Sequence, residues 1–81
     1  MSTTLTLYGR GYCHLCEGMR AALEPLRIEF GFHIEEIDVD SDPALEARFD
    51  EWVPVLMAGE RELCHYFLDA PAVRAYLTEV R

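Results

Sequence analysis

Lysine is absent from this 81-residue chain. Its positive charge comes from seven arginines, set against fifteen Asp and Glu, for a formal net charge of −8. A nucleic-acid binder needs a basic stripe to displace counterions, and none is available. An anionic membrane surface is disfavoured for the same reason. Long apolar runs are also missing, and nothing approaches the roughly 20 residues that span a bilayer. Met1–Tyr8 has neither the basic start nor the apolar core of a secretory signal, so export is not expected. Cysteines number three, an odd count unlike the even frameworks of small secreted domains. The expectation is a cytoplasmic protein with reduced thiols. The chain is too short for two cores, which leaves one domain over residues 1–81. With 51% hydrophobic residues, that core needs neither a metal nor a set of disulfides.

The hydrophobic pattern changes period along the chain. Leu5-Thr6-Leu7-Tyr8 alternates as a strand does, and Gly9-Arg10-Gly11 breaks it. From Cys13, the spacing of Leu15, Met19, Ala22, Leu23, Leu26 and Phe30 predicts one helix face, with Glu17, Arg20, Glu24 and Arg27 paired on the other. Pro25 removes a backbone donor and is expected to kink this helix or end its first segment; Gly31 marks the turn out. His33–Val39 reads as a strand. Asp42 and Pro43 suit the cap and first position of a short helix over Ala44–Asp50, with Leu45 and Phe49 inward. Val55-Leu56-Met57 is an all-apolar run, as a buried strand is. Ala58-Gly59-Glu60 turns, and Arg61–His65 returns as a hairpin partner. Asp69 caps a last helix that tolerates Pro71 and buries Val73, Tyr76, Leu77 and Val80. The order is β-α-β-α-β-β-α. A right-handed crossover makes the first two strands parallel, the hairpin completes a mixed four-stranded sheet, and helices cover both faces of this α/β domain.

Cys13-His14-Leu15-Cys16 carries the chemistry. It follows a strand and a glycine break, and it opens a helix. Unpaired N–H groups and the helix dipole at that end favour an anion, so a thiol there ionises more readily. Cys13 sits at the helix mouth and Cys16 nearly a turn deeper on the same side. This is the arrangement of a nucleophile and of a second thiol that resolves the mixed disulfide. Two packed structural cysteines and a metal site share the same spacing. Cys64-His65 offers further soft and imidazole donors for a Cys₃His set. Adjacent strand residues point to opposite faces, however, so Cys64 reads as a small core residue and His65 as a rim residue, with no metal bound.

Leu5–Tyr8, Gly11-Tyr12-Cys13-His14-Leu15-Cys16 and the later Val53-Pro54 together resemble a glutaredoxin, in particular the small bacterial glutaredoxin-like branch of the thioredoxin superfamily. The resemblance spans essentially the whole chain. It implies a thioredoxin-like fold and a dithiol oxidoreductase acting on protein or small-molecule disulfides or on glutathionylated substrates, as a monomer with no bound cofactor, and with glutathione, or else a thioredoxin-type reductase system, as reductant. It further implies that Val53-Pro54 is cis, that Pro54 faces Cys13, and that the Val53 backbone binds substrate. Arg10, three residues before Cys13, stands where many glutaredoxins hold a glutathione carboxylate with a lysine. A solvated loop charge is the alternative for Arg10. Tyr12 flanks the thiol as an aromatic wall or as half-buried packing. A cationic His14 favours the Cys13 thiolate; an exposed His14 has little effect.

The chain departs from the glutaredoxin pattern at several points. His14-Leu15 replaces Pro-Tyr between the cysteines, and Trp52-Val53-Pro54 replaces Thr-Val-Pro, with acidic Glu51 before it. The Gly-Gly-Asp segment that follows the hairpin is here Cys64-His65-Tyr66-Phe67. These changes leave dithiol chemistry better supported than glutathione specificity. A metal or iron–sulfur module and a catalytically silent interaction domain are the other two classes. Asp38, Asp40 and Asp42 read as a strand end and helix cap rather than a calcium loop. His33 reads as exposed, and Trp52 and Phe67 as core or cleft wall.

Overall fold

The structure, a computed structural model, describes residues 3–80; Met1, the start of the Met1–Tyr8 segment, lies outside them with Ser2 and Arg81. Four strands and three helices alternate as β1 (Thr4–Gly9), α1 (His14–Phe30), β2 (His33–Asp38), α2 (Pro43–Phe49), β3 (Val55–Ala58), β4 (Arg61–His65) and α3 (Ala70–Glu79). The sheet order is β2-β1-β3-β4. β1 pairs with β2 in parallel from Thr4↔His33 to Gly9↔Asp38. β3 runs antiparallel to β1, with Tyr8 opposite Val55, and β4 returns antiparallel to β3.

Side-chain alternation assigns the faces. Leu5, Leu7 and Leu56 meet Met19, Leu23 and Leu26 of α1 and Val73 and Leu77 of α3 in one buried cluster. Val55 and Met57 point the other way, onto Val39 and Phe49. Both faces of β3 are therefore covered, which is why all four of its residues are buried and its sequence does not alternate. Gly31 closes α1 in the left-handed region, φ 73°, and donates its N–H to the Arg27 carbonyl at 2.8 Å. Asp42 caps α2 by accepting the Ala44 N–H, and Asp69 caps α3 by accepting that of Ala72.

Several expectations need correction. α1 runs through Pro25 without ending. Pro25 and Ala21, whose carbonyl loses its donor, are both exposed, which leaves that oxygen open to solvent while the opposite face stays packed. The buried stripe of α1 is Cys16, Met19, Leu23 and Leu26; Leu15 and Ala22 face solvent. Within α1 only Glu24 and Arg27 pair, and Arg20 reaches across to Glu36 of β2. Val39 belongs to a single 3₁₀ turn, Val39–Ser41, rather than to β2. Val80 follows the last helical residue and is exposed; Trp52 and Phe67 are also exposed and form cleft walls rather than core. No helix among the described residues is long and apolar enough to cross a membrane.

Candidate active site at the start of α1

Three residues, 10–12, lead from the end of β1 to Cys13. Cys13 is the N-cap of α1, with extended backbone angles of φ −100° and ψ 113°. Its Sγ accepts the backbone N–H of Cys16 at 3.1 Å, and its carbonyl accepts that of Glu17 at 3.1 Å. A sulfur atom thus takes the place that a Ser or Asp oxygen usually fills at a helix start. One of the unpaired N–H groups of the first turn points at that sulfur, where it favours a thiolate over a thiol. Cys13 is half-buried and Cys16 buried, and the two are joined as a disulfide with their Cα atoms 5.2 Å apart.

Gly9 makes this placement possible. A Cβ built on Gly9 would stand 2.8 Å from Cys16 Sγ and 3.2 Å from Cys16 Cβ. Any other residue there pushes the first turn of α1 off the end of β1. Read along the sequence, Gly9 is only a strand breaker; the contact that requires it is invisible without the fold.

Topology gathers the rest of the site. β1 and β2 end, and β3 starts, at the same edge of the sheet, and β4 returns to it. The connections 10–13, 39–42, 50–54 and 66–69 therefore crowd one end. Val53 is half-buried there, Pro54 is fully buried, and their peptide bond is cis. Tyr66 holds this segment at two points. Its N–H donates to the Pro54 carbonyl at 2.8 Å, and its hydroxyl donates to the Glu51 carbonyl at 2.6 Å. Tyr66 adopts φ 63°, a left-handed backbone uncommon for an aromatic residue. Trp52 lies edge-on to His65 at 5.3 Å, and His65 edge-on to Tyr66 at 4.8 Å. In the sequence, Tyr66 only stands within the stretch where glutaredoxins have a glycine pair. That substitution was the available signal for a residue now seen gripping the 51–54 segment.

The candidate residues scatter around the dithiol. Tyr12, 84% exposed, and His14 face solvent. Arg10 and Cys16 line one cleft of about 350 Å³ with Gly9, Glu17 and Ile37, while Tyr12, His14, Val53 and Pro54 lie outside its walls. The Arg10 guanidinium is engaged: Nε donates to Asp40 at 3.1 Å, Nη1 to the Asp50 carbonyl at 3.2 Å, and Nη2 to the Asp50 carboxylate. These two acids, Asp50 foremost, push the Arg10 pKa further up. Arg10 so ties the cysteine loop to the 3₁₀ turn and to the end of α2.

Cys64 lies in the core between the sheet and α3, away from solvent. Burial raises its pKa; a backbone hydrogen bond from Asp69 opposes this, and the charges of Asp69 and Glu62 reinforce it. His65 instead pairs its Nδ1 with Glu62 at 3.2 Å. Among the described residues, no three or more His, Cys, Asp or Glu side chains converge to hold a metal ion.

Two outcomes follow from this geometry. Gly9→Ala is expected to destabilise the protein by about 1–3 kcal/mol through overpacking. Urea denaturation measures the loss, and a change near zero would mean that Cys16 does not need the space. In the reduced protein, Cys64 is expected to resist iodoacetamide at neutral pH while Cys13 reacts. Because the folded Cys64 pKa lies above the unfolded one, its contribution to stability is present at neutral pH and is lost as pH rises through the folded value. Peptide mapping after alkylation checks the order of labelling.

The comparisons with known proteins agree with this architecture. The chain is 32% identical over 74 residues to the uncharacterized protein Rv0508 of Mycobacterium tuberculosis, a match covering 85% of this chain and 76% of that one. It superposes on the solution structure of protein Ne2328 from Nitrosomonas europaea with a TM-score of 0.86 at 42% identity, over 94% of this chain and 92% of that one. Thioredoxin 1 of Thermosipho africanus shares the fold at 20% identity, with a TM-score of 0.61 over 95% and 97% of the two chains. Residues 4–78 match the model of the glutaredoxin-like domain (DUF836), and the chain, with its cysteine pair on a thioredoxin fold, belongs to that family.

Proposed function

We propose that the protein is a thiol–disulfide oxidoreductase that works through Cys13 and Cys16. The observation that carries this reading is the cap of α1, where Cys13 Sγ accepts the Cys16 N–H at 3.1 Å. In the reduced protein, the thiolate of Cys13 attacks one sulfur of a substrate disulfide. A mixed disulfide forms, and the first substrate thiolate leaves and takes a proton. The thiolate of Cys16 then attacks Cys13 Sγ, and the second substrate thiolate leaves. The protein loses two electrons as the Cys13–Cys16 disulfide forms, and the substrate gains them. Two external thiols, with glutathione the proposed reductant, return the dithiol.

Protein or small-molecule disulfides are the proposed substrates, passing between the exposed Tyr12 and His14 on one side and Val53-Pro54 on the other. Arg10 has a different role in this reading from that of a carboxylate anchor. Its guanidinium is already occupied by Asp40 and Asp50, which supports a loop clamp. Glutathione then approaches as a soluble thiol without that contact.

Serine variants test the division of labour. Cys13→Ser is expected to drop disulfide reduction to the buffer rate, because the alcohol is a poor nucleophile toward sulfur. Cys16→Ser is expected to keep the first attack and to accumulate the mixed disulfide, which intact-mass spectrometry detects. A silent interaction domain predicts wild-type protein that leaves every disulfide intact, and equal behaviour of the two variants would overturn the assignment.

A further inference from the structure

The end of the sheet that holds the dithiol differs from the rest of the surface in two independent ways. The first is apolar exposure. Six large hydrophobic side chains are exposed among the described residues, and four of them are Tyr12 (84%), Leu15 (41%), Trp52 (46%) and Phe67 (70%). Each stands on a connection at that end or in the first turn of α1. The other two, Ile28 and Val80, lie toward the far ends of their helices.

The second is charge. Asp38, Asp40, Asp42, Asp50, Glu51 and Asp69 sit at or beside these same connections, where Arg10 stands on the cysteine loop, Arg20 lines the cleft beside Cys16, and Arg48 lies by Asp50, Glu51 and Trp52. Arg10 is bound to two of those acids. Arg20, Arg27, Arg61 and Arg74 are each paired with a glutamate, and Arg48 lies over the Phe49 ring. An anionic ligand that reaches the dithiol therefore meets an excess of carboxylates, with Arg10 and Arg20 already paired to acids and Arg48 set over an aromatic ring.

We infer that this face docks positively charged polypeptide segments that carry a disulfide beside apolar residues. The inference rests on the dithiol reading above and names its substrate class. Apolar residues of the segment cover Trp52, Leu15 and Tyr12, and its Lys and Arg side chains meet the acidic connections. Complementary charge of this kind raises the rate of encounter and is screened by salt. The chemistry is unchanged. Cys13 displaces one peptide thiolate, Cys16 displaces the other, and the two electrons of the dithiol pass to the peptide.

The test uses the whole chain, pre-reduced and freed of reductant, and three oxidants. Two are synthetic disulfide peptides of identical apolar core, one flanked by Lys and Arg and one by Glu. The third is the small uncharged disulfide of 2-mercaptoethanol, whose rate normalises the others. Formation of the Cys13–Cys16 disulfide is followed by quenching and alkylation. The cationic peptide is expected to react about tenfold or more faster than the acidic one at low salt. The ratio should fall toward one as ionic strength rises from about 0.01 M to about 1 M. Glu51→Arg, which alters an exposed side chain and not the carbonyl that Tyr66 grips, is expected to lower the low-salt ratio severalfold. Equal rates for the two peptides, or a ratio that salt does not change, overturn the docking inference while leaving the dithiol reading intact. Failure of the uncharged disulfide to oxidise the protein overturns both.

Discussion

The first turn of α1 has to rest directly against the end of β1, and the geometry of the site depends on that contact. It is possible because Gly9 has no side chain where Cys16 Sγ lies. Once Cys16 is seated there, Cys13 falls at the cap, half in solvent, with a backbone N–H aimed at its sulfur. The same seat sets the stripe that buries Met19, Leu23 and Leu26 against the sheet. One contact thus links the chemistry to the core. The nucleophile is held by packing that extends over the length of the helix rather than by a mobile loop.

Electrostatics around this frame is arranged by consumption of positive charge. The chain has seven arginines, no lysine and fifteen carboxylates. Arg10 spends its guanidinium on Asp40 and Asp50 and binds three connections into one rim. That rim has to stay in register for Val53-Pro54 and Tyr66 to keep their places at the same end of the sheet. What remains outward is acidic and apolar. Exposed ion pairs contribute little to stability, so the clamp matters through the position of the loops.

The order of elements was legible in the sequence because period, caps and breakers all agreed. Asp42-Pro43, Asp69-Pro71 and Gly31 did locally what such residues do anywhere. Cys13 and Cys16 were legible because their offset from a strand and a glycine break has a chemical meaning. The misreadings share one cause, which is that neighbours in space were not yet known. Leu15 was expected inside, but Cys16 takes the inward position one residue later and turns Leu15 out to solvent. Pro25 was expected to kink α1 or end its first segment; the helix does not end there, because Pro25 stands on the solvent face, where the lost donor is cheap. The partners of Arg10 and the grip of Tyr66 on the Glu51 and Pro54 carbonyls join residues up to 40 positions apart. No local pattern encodes such pairs.

The reactivity assigned to Cys13 depends on whether the start of α1 polarises its thiol. The direct measurement is the ionisation of Cys13 in the reduced Cys64→Ala protein, followed by thiolate absorbance across pH with the Cys13→Ser variant subtracted. A midpoint clearly below the value of about 8.5 for a free cysteine is the expected result. A midpoint at or above that value would contradict the account, because the cap would then hold a thiol no more reactive than one on an unfolded chain.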